Sequence, residues 1–257
     1  MFRKSLLVVF ILLLMTEAAF SKDMLITNDT GTQGKGNLLV EVNSEFAFNK
    51  QVFFDATTRE ASFGLETIFS YGISESADVI LGIPYLWSRV EEDGAGTSKE
   101  NGISDLSVEL KWRFYEKDGL SFALKPGLSL PTGDQAKGLG TGRTGYNLFF
   151  ITTKVIGTLT FDVNLAYTRN ENKVDERKDI WYASFAAEVP VAENVRLIGN
   201  IGLQTNPDKT SNSYPAFFIG GINYSLTNTF DINLGLKRGL NKSETDYAVL
   251  AGIALRF

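Results

Sequence analysis

The stretch DLSVELKWRFY, residues Asp105–Tyr115, sets Leu106, Val108, Leu110, Trp112 and Phe114 against Asp105, Ser107, Glu109, Lys111, Arg113 and Tyr115. A period of two is that of an extended strand, whose successive side chains point to opposite faces. One face is uninterruptedly apolar, and the other carries carboxylates and cations that would be very costly to bury in a dry core. Such a strand needs hydrocarbon on one side and water or paired charges on the other.

The same alternation returns along the chain from Gly36 onward. It places Leu38, Val40, Val42, Phe46 and Phe48 opposite Leu39, Glu41, Asn43 and Glu45, and Phe63, Leu65, Phe69 and Tyr71 opposite Ser62, Gly64, Glu66 and Ser70. Twelve strands are predicted: 38–48, 61–73, 78–88, 105–115, 120–130, 146–156, 158–168, 180–189, 195–204, 216–226, 230–237 and 246–257. Most have the length that crosses a bilayer when tilted. The weakest is 146–156, where Phe149, Ile151 and Val155 interrupt the pattern.

The connections alternate between short and long. Short links at 74–77, 116–119, 157, 192–194 and 227–229 interleave with longer polar ones at 49–59, 89–104, 131–145, 169–179, 205–214 and 238–245. Short turns at one end and long loops at the other describe an antiparallel up-and-down transmembrane β-barrel of the bacterial outer membrane, with the long loops outside the cell. Aromatic residues fall where such a barrel would meet lipid headgroups: Trp87 and Trp181 near the long loops, Trp112, Phe114, Tyr224 and Phe230 near the short turns. A secreted β-sandwich also alternates, but its strands are commonly shorter and its loops less orderly in length.

The N-terminus agrees with export. Arg3 and Lys4 precede an apolar run from Leu6 to Met15, and Ala19 and Ser21 supply small residues for cleavage after Ser21. The run is short for a membrane helix and reads as a signal peptide over residues 1–21. The expected location is therefore the outer membrane of a Gram-negative envelope. Residues 22–36 form a polar lead-in anchored only by Met24, Leu25 and Ile26; it could enter the lumen as a small plug, but termini are often loosely held and a flexible lead-in is the expectation. The barrel itself is assigned to residues 37–257.

Composition narrows the function. Without residues 1–21 the chain is mildly acidic, which argues against a nucleic-acid partner. Neither His nor Cys occurs, so the usual general base, Ser-His and Cys-His dyads, most zinc sites, disulfides and lipoprotein processing all drop out. No enzymatic activity and no cofactor is expected. The acidic run Glu91, Glu92 and Asp93 reads as solvated loop rather than a calcium site, which needs six or more converging oxygens.

The inward face of such a barrel would carry Glu41, Glu66, Glu109, Lys111, Arg113, Lys125 and Arg196 as candidate lumen-lining residues. Opposite charges across a confined lumen can orient a polar permeant, or can simply pair and brace the wall. Lys125 is expected within reach of Glu109 and Lys111, narrowing the pore near mid-height. The chain ends on YAVLAGIALRF, with Tyr247, Ile253, Leu255 and the terminal Phe257 on one face. It resembles the C-terminal signature that outer-membrane proteins present to the barrel-assembly machinery.

A glycine-rich stretch, GLGTGRTG at Gly138–Gly145, contains the spacing G-x-G-x-x-G. No helix is predicted after it, so the nucleotide-binding reading fails on context and tight exposed turns are the simpler reason for the glycines. The wording of LITNDTGTQGKGN at 25–37, LPTGD at 130–134 and GLGTG at 138–142, with GISDLSVELKWRFYE before LPTGD, resembles the meta-pathway phenol-degradation family of outer-membrane transporters. The resemblance implies a barrel transporter or channel, associated in some members with aromatic degradation, with no catalytic residues to carry over. Two functions stay open: a passive conduit for small solutes, including aromatic or hydrophobic compounds, or a closed barrel with a surface-binding or envelope-structural role. The partners expected are membrane lipid, the assembly machinery and a small-molecule permeant.

Overall fold

A computed structural model describes residues 27–53, 56–92 and 96–257 of the chain. The signal peptide expected over residues 1–21, the expected Met24–Ile26 anchor and Asp93 lie outside these residues. Among the described residues the chain forms strands β1 (Leu38–Phe53), β2 (Ala56–Ser74), β3 (Ala77–Glu92), β4 (Gly96–Ile103), β5 (Leu106–Lys117), β6 (Leu120–Leu130), β7 (Gly145–Ile156), β8 (Leu159–Arg169), β9 (Asp179–Ala192), β10 (Val195–Gln204), β11 (Ala216–Thr227), β12 (Phe230–Gly239) and β13 (Tyr247–Arg256).

Twelve of them close an antiparallel barrel. Each strand pairs with its sequence neighbour, β1 pairs with β13, and β3 pairs with β5, so no strand within the wall keeps a free edge. A barrel is the arrangement that satisfies every ladder hydrogen bond without an edge, as a wall facing hydrocarbon requires. A sandwich of two sheets is excluded by this single closed ladder.

β4 is the additional strand. It pairs with the upper half of β3, from Tyr85↔Ile103 to Glu92↔Gly96, while β5 takes the lower half, from Ala77↔Trp112 to Gly82↔Ser107. Within the segment 89–104, expected as a loop, residues 89–92 and 96–103 are thus paired strand. The segment 49–59 is likewise mostly strand, with β1 and β2 paired as far as Phe53↔Ala56. These hairpins stand above the rim of the barrel as a sheet wetted on both faces, and a strand wetted on both faces has no hydrophobic alternation to display.

The two faces of the wall separate as the period requires. In β5, Val108, Leu110, Trp112 and Phe114 are exposed while Lys111 is buried. In β12 and β13, Leu234, Leu236, Val249 and Ile253 point outward, whereas Asp231, Asn233, Ala248, Leu250 and Ala254 are buried inside. Aromatic rings extend the outer band: Trp112 lies 5.7 Å from Phe114, and Phe122 stacks 5.8 Å from Phe150. An outer surface so continuously apolar suits a bilayer rather than water.

Inside, the lumen is only partly wet. Ala186, Ile198, Phe217, Ile219 and Leu250 form a buried apolar cluster on the β9–β13 side, with Tyr182 packed against it. The irregular strand β7 belongs to the same design, because Ile151 is fully buried on its inner face and Phe149 lies beside Tyr182 at 6.4 Å. Phe149 and Ile151 interrupt the alternation because their inward side chains pack, Phe149 against Tyr182 and Ile151 out of reach of solvent.

Candidate functional site

The largest departure from expectation is the lead-in. Thr27 to Asn37 does not hang free: it runs through the lumen and is hydrogen-bonded to the wall along its length. Thr27 Oγ1 donates to Ser184 Oγ at 2.6 Å and accepts from Asn200 Nδ2. Asn28 pairs with Asn164 three times, its backbone N–H donating to Oδ1 at 2.7 Å, its Nδ2 to the same oxygen at 3.3 Å, and its carbonyl accepting from Nδ2 at 2.7 Å. The Thr30 N–H donates to Thr153 Oγ1 at 3.0 Å, and the Thr30 hydroxyl meets that of Ser121. Thr32 donates to the Glu75 carbonyl, and the Gln33 N–H is shared by both Asp78 oxygens at 3.1 Å.

These partners come from inward positions of the strands and from one short turn. Ser121, Thr153, Asn164, Ser184 and Asn200 are uncharged and short, and sequence reasoning passed over them in favour of the charges. Their signal was present: a run of small polar residues on the inner face is what a backbone needs as a hydrogen-bonding trough, and the segment NDTGTQ is equally short and polar. Each neutral bond contributes about 1 kcal/mol net. Ordering each residue costs at least about as much, so the segment is held by the whole series rather than by one contact.

The exit from the lumen is equally close-fitting. Gly36 N–H donates to the Gly72 carbonyl at 2.8 Å and Gly72 N–H to that of Asn37 at 3.0 Å. A Cβ at Gly72 would lie 1.8 Å from the Gly34 carbonyl oxygen. Backbone cannot yield as the tip of a side chain can, so Gly72→Val should push the segment off the wall. The expected result is rapid protease cleavage at the N-terminus of the folded barrel, where the wild type resists; equal resistance would show that the segment tolerates the clash.

Of the seven lumen candidates, Glu41 and Lys111 are buried on the inner wall, and Lys125 with them. Lys125 Nζ lies 2.9 Å from Glu109 Oε2 and 3.0 Å from Asn28 Oδ1, and 4.8 Å from the centre of the Phe149 ring. Lys111 instead turns to the inserted segment, donating to the Gly31 carbonyl at 3.2 Å with Asp29 3.8 Å away. Both cations therefore reach the segment rather than forming one cluster across open lumen. Arg196 pairs with Glu188 at 3.4 Å. Arg113 sits lower, at the short-turn mouth, where it bonds the Glu75 carbonyl and Glu116.

Glu66 belongs to a cavity on the long-loop side of the segment. This space is about 550 Å3 and is lined by Glu66, Ile80, Leu86, Glu109, Lys125 and Phe149 among others, with Asn28 of the inserted segment at its floor. One part of its wall is apolar and aromatic, another carboxylate-rich. Tyr247, Ile253 and Leu255 lie on the outer face of β13 and Phe257 is 71% exposed at its end.

Above the cavity the long loops are tied to one another. Arg177 donates to the Asn206 and Ser211 carbonyls, Asn241 to that of Tyr214, and Lys173 N–H to that of Thr141. Hydrogen bonds from Lys178 and Arg169 hold the Glu171 carboxyl below the usual carboxylate range, so its contribution to loop order is present at neutral pH and is lost as pH falls through the lowered value. The glycine-rich stretch finds its reason here. Asp105 accepts from the N–H groups of Gly133 and Thr141, and a Cβ at Gly140 would lie 2.3 Å from its carboxylate. β7 follows the stretch directly, with no helix to receive a phosphate.

The architecture defines a twelve-strand barrel of the membrane-spanning kind, with an N-terminal segment lodged in its lumen. The chain belongs to the family described as "Putative MetA-pathway of phenol degradation", whose profile matches residues 27–257. Its fold is similar to that of an outer membrane channel from Pseudomonas putida F1, with a TM-score of 0.67 and 15% identity over 90% of this chain and 98% of that one. It is also similar to the translocator domain of the autotransporter NalP from Neisseria meningitidis (TM-score 0.57, 13% identity, 91% of each chain) and to the NanC porin (TM-score 0.54, 8% identity, 84% of this chain and 98% of that one). No curated protein sequence matches the chain.

Proposed function

We propose that the protein is an outer-membrane channel for passive passage of small solutes, with aromatic or hydrophobic compounds among them, and that it performs no catalysis. The observation that carries this reading is the cavity on the long-loop side, which sets Phe149, Leu86 and Ile80 beside Glu45, Glu66 and Glu109 and ends on Asn28 of the inserted segment. An aromatic ring fits against Phe149, Leu86 and Ile80, while a hydroxyl or amine on it finds Glu66 and Glu109. The family description, with its reference to phenol degradation, and the porin-like fold are consistent with this class of permeant. The protein enters the outer membrane after cleavage near Ser21, with the outward row of β13, Tyr247, Ile253, Leu255 and Phe257, as the signal read by the assembly machinery.

Purified protein in planar bilayers should give discrete conductance steps, and liposomes containing it should swell faster in phenols than in sugars of similar size. A second reading, a non-conducting barrel with a surface role, is favoured by the hydrogen-bonded segment and the tied loops. Folded protein that stays silent in bilayers and impermeable in liposomes would select that second reading.

The charged residues at the constriction should matter through the segment they hold. Lys125→Ala removes the contacts to Glu109 and Asn28, and Lys111→Ala those to Gly31 and Asp29. Each should raise conductance by about twofold and shift selectivity toward cations, since a confined positive charge is lost. Conductance and reversal potential both unchanged in the two variants would remove these lysines from the pathway.

A further inference from the structure

The open space of the lumen lies against one half of the wall only. The cavity is lined by residues of β1–β3, β5–β8 and β13, with Asn28 at its floor, and none of its described lining residues comes from β9–β12. On that other side the apolar cluster of Ala186, Ile198, Phe217, Ile219 and Leu250 fills the inner face from mid-height upward. Below it, toward the short turns, the inner face carries Glu41, Glu188, Arg196, Asp231 and Arg256.

Register sets this lower part in two rows. Asn43 is opposite Gly252, Gly252 opposite Asn233, Asn233 opposite Asn223, and Asn223 opposite Arg196. One step nearer the turns, Glu41 is opposite Ala254 and Ala254 opposite Asp231. Gly252 and Ala254 leave room for the longer side chains to close over β13, and a Cβ at Gly252 would lie 2.4 Å from Asn43 Oδ1. Arg256 pairs with Asp231 at 2.7 Å and Arg196 with Glu188 at 3.4 Å. Glu41, Asn223, Asp231 and Asn233 are each at most 2% exposed, so the rows are packed rather than filled with water. Charges tolerate such a place only when opposite charges and amides surround them.

We propose that the lumen is divided lengthwise into a sealed half along β9–β13 and a conducting half along β1–β8, and that Arg196 and Arg256 keep the sealed half shut. The inference rests on the channel reading and extends its cavity into a route: solute passes Asn28 and Asp29 and follows the inserted segment toward the short turns, not the charged rows. The segment covers the lower wall of the conducting half through Asn164, Thr153, Lys111 and Asp78. The two barriers differ in kind. A solute crossing the rows would have to part buried guanidinium–carboxylate pairs, whose charges lose more than they regain when separated in a confined space. One that follows the segment displaces hydrogen bonds that water replaces.

The chain contains no cysteine, so single cysteines read the two halves separately. In full-length protein in lipid bilayers, Asn233→Cys should stay unreactive toward a membrane-impermeant methanethiosulfonate, whereas Asp29→Cys should react and thereby cut conductance by about half. Asn223→Cys reads the sealed half if Asn233→Cys does not fold. Arg196→Ala, which takes away the guanidinium beside Glu188, should raise the reaction rate at Asn233→Cys by about tenfold as the rows take up water, and Arg196→Lys should restore the protection. An Asn233→Cys that reacts as fast as Asp29→Cys overturns the sealed half. A rate there that Arg196→Ala leaves unchanged overturns the part given to the arginine. Where wild type conducts, unchanged conductance after modification of Asp29→Cys overturns the route alone. Folded wild type that conducts nothing overturns the channel reading and the route with it.

Discussion

Deleting residues 27–36 is expected to raise single-channel conductance by about tenfold, since a twelve-strand barrel freed of its internal segment keeps an aqueous lumen. Asn28 of the segment floors the long-loop cavity, and the segment runs along the inner faces of adjacent strands, meeting Asn164, Thr153, Lys125, Lys111 and Asp78 in turn. Water can replace every one of these partners, because the groups exposed by the deletion are hydroxyls, amides and charges. The wall does not depend on the segment: each of its twelve strands pairs on both sides with another wall strand. The deleted protein should therefore fold, as judged by heat-modifiable migration, and conduct more. A folded deletion variant with wild-type conductance would place the constriction elsewhere, in the loops tied by Arg177 and Asn241.

The other large effect concerns the outer face. Leu165 is 54% exposed at the middle of β8. Leu165→Arg sets a guanidinium in hydrocarbon near mid-depth and should destabilise the inserted barrel by about 2–4 kcal/mol. Urea unfolding from liposomes measures it. Asn147→Arg provides the contrast, because Asn147 lines the cavity; the new charge meets water and carboxylates there, and selectivity should shift toward anions with little change in stability. Equal tolerance of both substitutions would mean that the two faces do not meet different solvents, which no membrane barrel allows.

The two substitutions differ only because alternation reports a solvent boundary, and that same fact sets what could be read beforehand. β5, β6 and β10 follow the expected spans to within two residues because hydrocarbon lies on one side of them and a polar lumen on the other. Above the rim both faces are wet, so GTSKENGI of β4 and the upper parts of β1 and β2 carry no pattern and read as loops in the sequence. Where an inward side chain packs against other lumen groups the pattern fails in the opposite sense, as at Phe149 and Ile151.

The candidate site was legible by residue type and less so by partner. Lys125 and Glu109 do meet, as hairpin geometry suggested. Lys111 is expected in one cluster with Lys125 and Glu109, but it holds Gly31, 80 residues away. Nothing local could disclose that contact, since a polar segment without periodicity looks the same whether it lies in water or in a trough of hydroxyls and amides.

By itself, then, the amino-acid order determined the wall: its strand count, which side chains meet lipid, and which end carries the long loops, because each follows from a period repeated within a dozen residues. Only the closed tertiary structure decided the content of the lumen. Thr27 meets Ser184 across 157 residues of chain, Asn28 meets Asn164 across 136 and Thr30 meets Thr153 across 123. Those meetings exist only once the sheet has curled on itself and brought the inner faces of distant strands around a common axis.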